Sequence, residues 1–274
     1  MNGSKRSWNR YWTLGSLAVI FAAAAAAMAM GRFTIAPREL AAVLIPGSFP
    51  DVQVSGQVRT VISNIRFPRV VLALLSGAGL AAAGAAFQGL FANPLATPDT
   101  LGAANGASFG AVLGILLGLP ALGIQTLAMI TGVAAVLMAW SVARVRGAIP
   151  PLMVILAGMV VSSLFSALVS LVKYAADPQD VLPSITYWLM GSMASTTRTT
   201  LIMGAPFIIG GSLILFLLRW KLNTMSLPED EARSLGIPVK RIRGLVILGA
   251  AMVTAAVVSM CGQIGWIGLL IPHM

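Results

Sequence analysis

The residues equipped for chemistry are few and far apart. There is one histidine, His273, and one cysteine, Cys261. A metal centre needs three or four converging ligands, and a lone imidazole makes a poor one. His273 reads as structural, and Cys261 as a small packing residue that no second cysteine can bridge. The eight carboxylates are Glu39, Asp51, Asp99, Asp177, Asp180, Glu229, Asp230 and Glu231. All fall in loops or at the edges of apolar runs. That arrangement speaks against a proton-coupled carrier, which needs titratable groups inside its spans. It also speaks against a membrane enzyme, which needs polar groups clustered at one face. No G-x-x-x-x-G-K-[ST] phosphate loop occurs, so any ATP that drives this protein binds to another polypeptide. The chain is expected to be neither an enzyme nor a cofactor carrier.

Three polar features stand out against the apolar background. Gln88 is an amide inside an apolar helix. It must find a partner in protein or water, whether it faces a path or joins two helices. The stretch NPLATPDTLG, residues 93–102, follows an uncharged run from Val70 to Ala92. Pro94 and Pro98 each remove a backbone donor, and Asn93 and Asp99 can bond nearby amides. The stretch therefore reads as a turn between two apolar segments. Irregular backbone at that depth is tolerated where protein or water surrounds it, so Asn93, Pro94 and Leu95 could also narrow a pore. The most polar part of the chain is 219–243, RWKLNTMSLPEDEARSLGIPVKRIR. Ser226 can cap a short helix whose first turn carries Glu229, and Gly236 can stop it after Ala232 and Leu235. Pro238 then permits a second short helix. Leu222, Met225, Leu227 and Leu235 set apolar contacts among the charges, which suits a docking elbow for a soluble partner.

The elements that hold these residues are membrane spans. The chain is 58% hydrophobic and 9% charged, with a mean hydropathy of +0.90; soluble domains carry about a quarter charged residues. A span takes about 20 apolar residues. Candidates fall near 12–31, 69–91, 105–119, 122–142, 151–172, 200–218, 244–260 and 263–274, an all-α polytopic bundle in one domain over 1–274. The net charge of +10 lies in basic flanks between apolar runs, which excludes a nucleic-acid binder and fits contact with lipid. Most Lys and Arg residues share a side with the N-terminus, which places the N-terminus and the 219–243 elbow in the cytoplasm. Arg32, Arg38, Arg59, Arg66, Arg69, Lys173 and Arg198 fall outside and need a separate reason. NIRFPRVVLALLSGAGLAAAG and KRIRGLVILGAAMVTAAVV also echo one another in opposite orientations, as inverted transporter repeats do.

The run RFPRVVLALLSGAGLAAAGAAFQGLFANPLATPDTLGAANGASFGA resembles the permease subunits of iron-siderophore, haem and vitamin B12 ABC importers, the FecCD-type permeases. YWLMGSM, LNTMSLPEDEARSLGIPVKRIR and GQIGWIGLLIPHM agree with it in order. The resemblance implies ten helices per subunit, about eight of them within this chain, with the C-terminal part of the family pattern missing. It implies a second permease copy, identical or similar, in the inner membrane. Cytoplasmic ATPase subunits would grip the elbow through Leu222, Ser226, Leu227, Glu229, Ala232, Leu235 and Gly236. A periplasmic or lipid-anchored binding protein would meet Arg66 and Arg69 from outside. Asn93, Pro94 and Leu95 match the region that narrows the cytoplasmic mouth in this family. The implied cargo is a ferric siderophore or related metal chelate, with haem or vitamin B12 as the alternative.

Overall fold

The structure is a computed structural model that describes residues 3–45, 47, 49–144, 151–225 and 229–274. The described residues form helices and turns, with no strand among them. They divide into two compact units, 1–71 and 72–274.

In the first unit, α1 (Gly3–Ala29) carries an alanine-rich run, the strongest helix-forming sequence available. Next, α2 (Pro37–Leu44) starts on a proline whose missing N–H costs nothing at that position, and Glu39 accepts from the Ala36 N–H at 3.0 Å. Then α3 (Gly56–Thr60) is capped by Ser55, whose Oγ accepts from the Val58 N–H at 3.3 Å. Met28, Ile35, Val58 and Ile62 pack these pieces into one cluster.

The apolar run expected to begin near residue 69 is helical from Gly56 onward, a continuous stretch to Phe91. It stays continuous through Pro68 because Val61–Arg66 widens into a π-turn before α4 (Phe67–Phe91). The Phe67 N–H bonds Ile62 O, five residues back. A proline ring clashes with the carbonyl four residues earlier, and a widened turn removes that clash.

The second unit is built around α11 (Val239–Cys261), the most enclosed span, with 78% of its apolar window buried. It packs on α9 (Arg198–Thr224), α6 (Ala121–Val142) and α5 (Ala103–Leu116), and α7 (Pro151–Ala175) closes over α5 and α6. The α9–α11 contact is set by two glycines. A Cβ at Gly211 would strike the Gly249 carbonyl, and one at Gly249 would meet the Gly211 carbonyl. Backbones touch only where side chains are absent. The short α8 (Val181–Leu189) buries Ile185 against Val112 and Val172.

Among the described residues, six helices are long and apolar enough to cross a membrane: Tyr11–Ala29, Gly56–Phe91, Ala121–Val142, Leu152–Ala175, Arg198–Thr224 and Val239–Cys261. The expected third span is a shorter apolar helix, α5, of 14 residues. The expected eighth span, 263–274, is not one continuous helix. It begins with a non-helical stretch at 262–266, then holds the four-residue α12 (Ile267–Leu270) and a 3-10 turn at Ile271–His273. Gly262 and Gly265 with Pro272 break the hydrogen-bond ladder that a span requires.

Candidate functional site: two helix breaks and an elbow

The first break follows α4. Ala92 turns with φ 47°. Asn93 then builds the turn, its Oδ1 accepting from the Leu95 N–H at 2.9 Å while its carbonyl accepts from the Ala96 N–H at 3.1 Å. Thr97 leads into a 3-10 turn, Pro98–Leu101, and Gly102, at φ 83°, opens α5. The turn read from 93–102 is present. Asn93, Pro94 and Leu95 lie exposed at its tip, with Leu95 70% exposed.

The second break, 262–266, lies beside the first. The Gly268 carbonyl of α12 occupies the space that a side chain at Gly84 of α4 would need. Gln88 Nε2 donates to Leu269 O at 3.4 Å, joining α4 to α12. His273 Nε2 donates to Pro94 O at 3.0 Å, so the lone histidine reaches the exposed turn. Ala92 and Trp266, at φ 70°, are the non-glycine residues with positive φ among the described residues, and each stands at one of the breaks.

Between the breaks is a half-open cavity of about 370 Å³ lined by Asp99, Ala104, Asn105, Leu189, Gln263, Ile264, Gly265 and Trp266. A chain of amides orders it. Gln263 Nε2 donates to Asn105 Oδ1 at 3.0 Å, and Asn105 Nδ2 donates to Ser162 Oγ at 2.9 Å and Ser162 O at 3.3 Å. Burial alone pushes the Asp99 carboxyl up to about 6. Sequence reasoning placed Asp99 in the turn and missed Asn105, Ser162 and Gln263. Their signal was present as polar side chains within or beside apolar runs, but nothing in the sequence pairs residues 57 or 158 positions apart.

The elbow runs from α9 to α11. Ser226 and Leu227 lie outside the described residues, and only the backbone of Glu229 is described. The short α10 (Glu229–Ser234) is stopped at Gly236, with φ 76°. Ala232 is buried against the main core, Leu222 packs against it half-buried, and Leu235 is 63% exposed. Two details differ from expectation. Met225 is buried in that core rather than presented to a partner. The second short helix is the first turn of α11, which runs unbroken to Cys261, because no glycine or proline follows Pro238 until Gly244 and the packing on α9 and α6 carries the ladder through.

In the first unit, Arg66 also differs from expectation. Its side chain is 8% exposed and turned inward. Nη1 donates to Met28 O at 2.7 Å and to Ala29 O at 2.8 Å, and Nη2 donates to Phe33 O. The carbonyls at the end of α1 carry the negative end of the helix dipole, and a guanidinium fork satisfies several at once. Arg69 is half-buried, whereas Arg32, Arg38 and Arg59 are exposed.

A family model described as the FecCD transport family matches residues 16–274. The chain belongs to that family. It is 36% identical over 248 residues to the molybdate import system permease protein MolB of Haemophilus influenzae, covering 90% of this chain and 73% of the relative. It is 33% identical over 216 residues to the cobalamin import system permease protein BtuC of Halobacterium salinarum, covering 78% of this chain and 58% of that one. Among solved structures, a chain described as an inward-facing metal-chelate type ABC transporter superposes with a TM-score of 0.81 at 35% identity. That match covers 95% of this chain and 79% of the other. The all-helical fold is thus that of the FecCD permeases. The matched range takes in the residues of both helix breaks and the elbow.

Proposed function

We propose that this chain is the membrane permease subunit of an ATP-driven importer, with its N-terminus and the α10 elbow in the cytoplasm. The observation that carries the reading is the family match, continuous from residue 16 to residue 274. A cytoplasmic ATPase grips the elbow at Leu222, Ser226, Leu227, Glu229, Leu235 and Gly236, while Ala232, buried against the core, anchors α10 from within. Its closure on ATP moves α10, the helices tilt about a central path, and the turn at Asn93, Pro94 and Leu95 opens inward. Nucleotide energy enters only as a difference in contact between the two states. On the outer side, Arg69 meets an acidic surface of the binding protein, and Arg66 orders that end from within. Such pairs set docking rate and orientation more than affinity. A second permease copy, identical or similar, completes the path. The cargo is a ferric siderophore or a related metal chelate, in line with the structural match to a metal-chelate type transporter. The relatives named for molybdate and cobalamin import make those cargos, and haem, the competitors.

Uptake of a panel of ferric chelates, cobalamin, haem and molybdate tests this. The vesicles hold the full-length permease with its ATPase and binding protein. ATP-dependent uptake of a ferric chelate supports the reading, and uptake of molybdate alone overturns the cargo. Leu235→Glu should lower ATPase co-isolation about tenfold, the value of a contact worth about 1.4 kcal/mol. Unchanged co-isolation removes Leu235 from the interface.

A further inference from the structure

The cavity between the helix breaks has a chemistry of its own. Asn105 spends its amide N–H groups on Ser162 and its carbonyl on Gln263. Gln263 in turn spends an N–H on Asn105. These bonds fix both amide orientations, and Gln263, which lines the cavity, keeps its Oε1 as an acceptor. Asp99 brings two more acceptor oxygens. Among the described residues no hydrogen bond or ion pair reaches its carboxylate. The polar equipment of the cavity is therefore acceptor-rich and negatively charged, and its walls, Leu189, Ile264 and Trp266, are apolar.

Among the described residues, no basic side chain lines this cavity. The turn that carries Asp99 packs against α5, α6, α7 and α11. Of these, α5 and α6 hold no charged residue. The titratable groups of α7 are Lys173 and Tyr174, near its far end. Those of α11 are Lys240, Arg241 and Arg243, near its start, with Cys261 at its end. Tyr187 on α8 and His273 complete the set, and His273 is turned to Pro94. Trp266 holds a left-handed backbone, φ 70°, that is strained for a bulky residue and is kept where surrounding structure over-determines it.

We propose that Asp99, Gln263 and Trp266 form a binding site for a primary ammonium group on a small apolar body. The ammonium donates to the carboxylate and to Gln263 Oε1, with the indole of Trp266 beside it. Leu189 and Ile264 receive the apolar part. One carboxylate and one amide are too few oxygens to hold a divalent ion. An organic cation also suits a space of about 370 Å³. The site goes beyond the importer reading and holds whichever cargo the importer carries.

The test uses the full-length permease, assembled with its partners in lipid nanodiscs, and benzylammonium as the probe. A hydrophobic carbodiimide modifies protonated carboxyls, and mass spectrometry counts the modification at Asp99. A bound cation that lowers the carboxyl pKa by about one unit cuts the protonated fraction near pH 6 about fivefold. Benzylammonium should therefore reduce Asp99 labelling about fivefold, while benzyl alcohol and benzoate leave it unchanged. Gln263→Ala should weaken that protection without lowering the labelling seen in the absence of probe. Gln263→Glu, a second charge beside the first, should strengthen it and serves where the alanine variant does not assemble. Equal protection by benzyl alcohol overturns the proposal. So does unchanged labelling at saturating benzylammonium, or no labelling between about pH 5 and pH 8. Loss of ATPase co-isolation would instead count against the importer reading and leaves these labelling outcomes as they stand.

Discussion

Arg66 and Asp99 each hold a charge back from bulk water, yet only Arg66 is given partners within the described chain. Arg66 sits on three carbonyls, two at the end of α1 and one at Phe33. Asp99 faces a cavity where Asn105, Ser162 and Gln263 bond one another and, among the described residues, none bonds its carboxylate. A buried charge with a complete set of hydrogen bonds is a structural fastening, and removing it leaves its partners stranded. A half-buried charge without one lowers stability, and a protein keeps it for a different reason. The sign of the charge, visible in the sequence, does not separate the two roles. The location of the nearest carbonyls does.

Four measurements can break or sharpen this contrast. Arg66→Met should destabilise most, by about 3 kcal/mol, because three acceptors lose a charged donor together. Thermal unfolding of the purified permease reads this, and limited proteolysis should show the 29–36 segment newly open. An unfolding midpoint within error of the wild type would make Arg66 no fastening at all. Asp99 should act in the opposite sense. Its folded-state carboxyl lies at about 6, above the ordinary carboxylate value. The folded state therefore holds the proton more tightly than the unfolded state. The stabilising contribution is full below the ordinary value and disappears as pH rises through about 6. Asp99→Asn should flatten that slope and raise the midpoint at neutral pH. A pH profile identical to wild type would place a counter-charge beside Asp99 after all.

The legible and the hidden parts of this molecule divide in the same way. The apolar spans were readable because membrane crossing depends on composition within one segment, and α1, α6, α7, α9 and α11 fall where hydropathy put them. The turn at Asn93 and the stop at Gly236 were readable because proline, asparagine and glycine act on their own backbone. Whatever depends on register between distant segments was not. The sequence offered no way to know that Arg66 turns back towards Met28, or that Gln263 meets Asn105. Met225 looked exposed because its neighbours are polar, but the packing of α9 against α11 draws it inward. The span expected at 263–274 failed because hydropathy is blind to the two glycines and the proline that break it.

The two smaller tests act on the neighbours of each charge. Asn105→Ala removes the hub of the amide chain and should cost about 1.5 kcal/mol, with Asp99 becoming easier to ionise as water enters. If the carboxyl titrates unchanged, the amides do not control its surroundings. Gly31→Ala would set a methyl group 2.7 Å from the Arg66 Nη2. The guanidinium is tied down and can shift only a few tenths of an ångström, so a loss of about 1 kcal/mol is expected. No loss would mean that the fork is looser than its three bonds suggest.

The touching glycines Gly211 and Gly249 bear on how the elbow can be used. The elbow is strung between α9 and α11, and at Gly211 and Gly249 those helices meet backbone to backbone. A push on α10, if an ATPase supplies one, is therefore expected to carry α9 and α11 along together rather than slide one past the other.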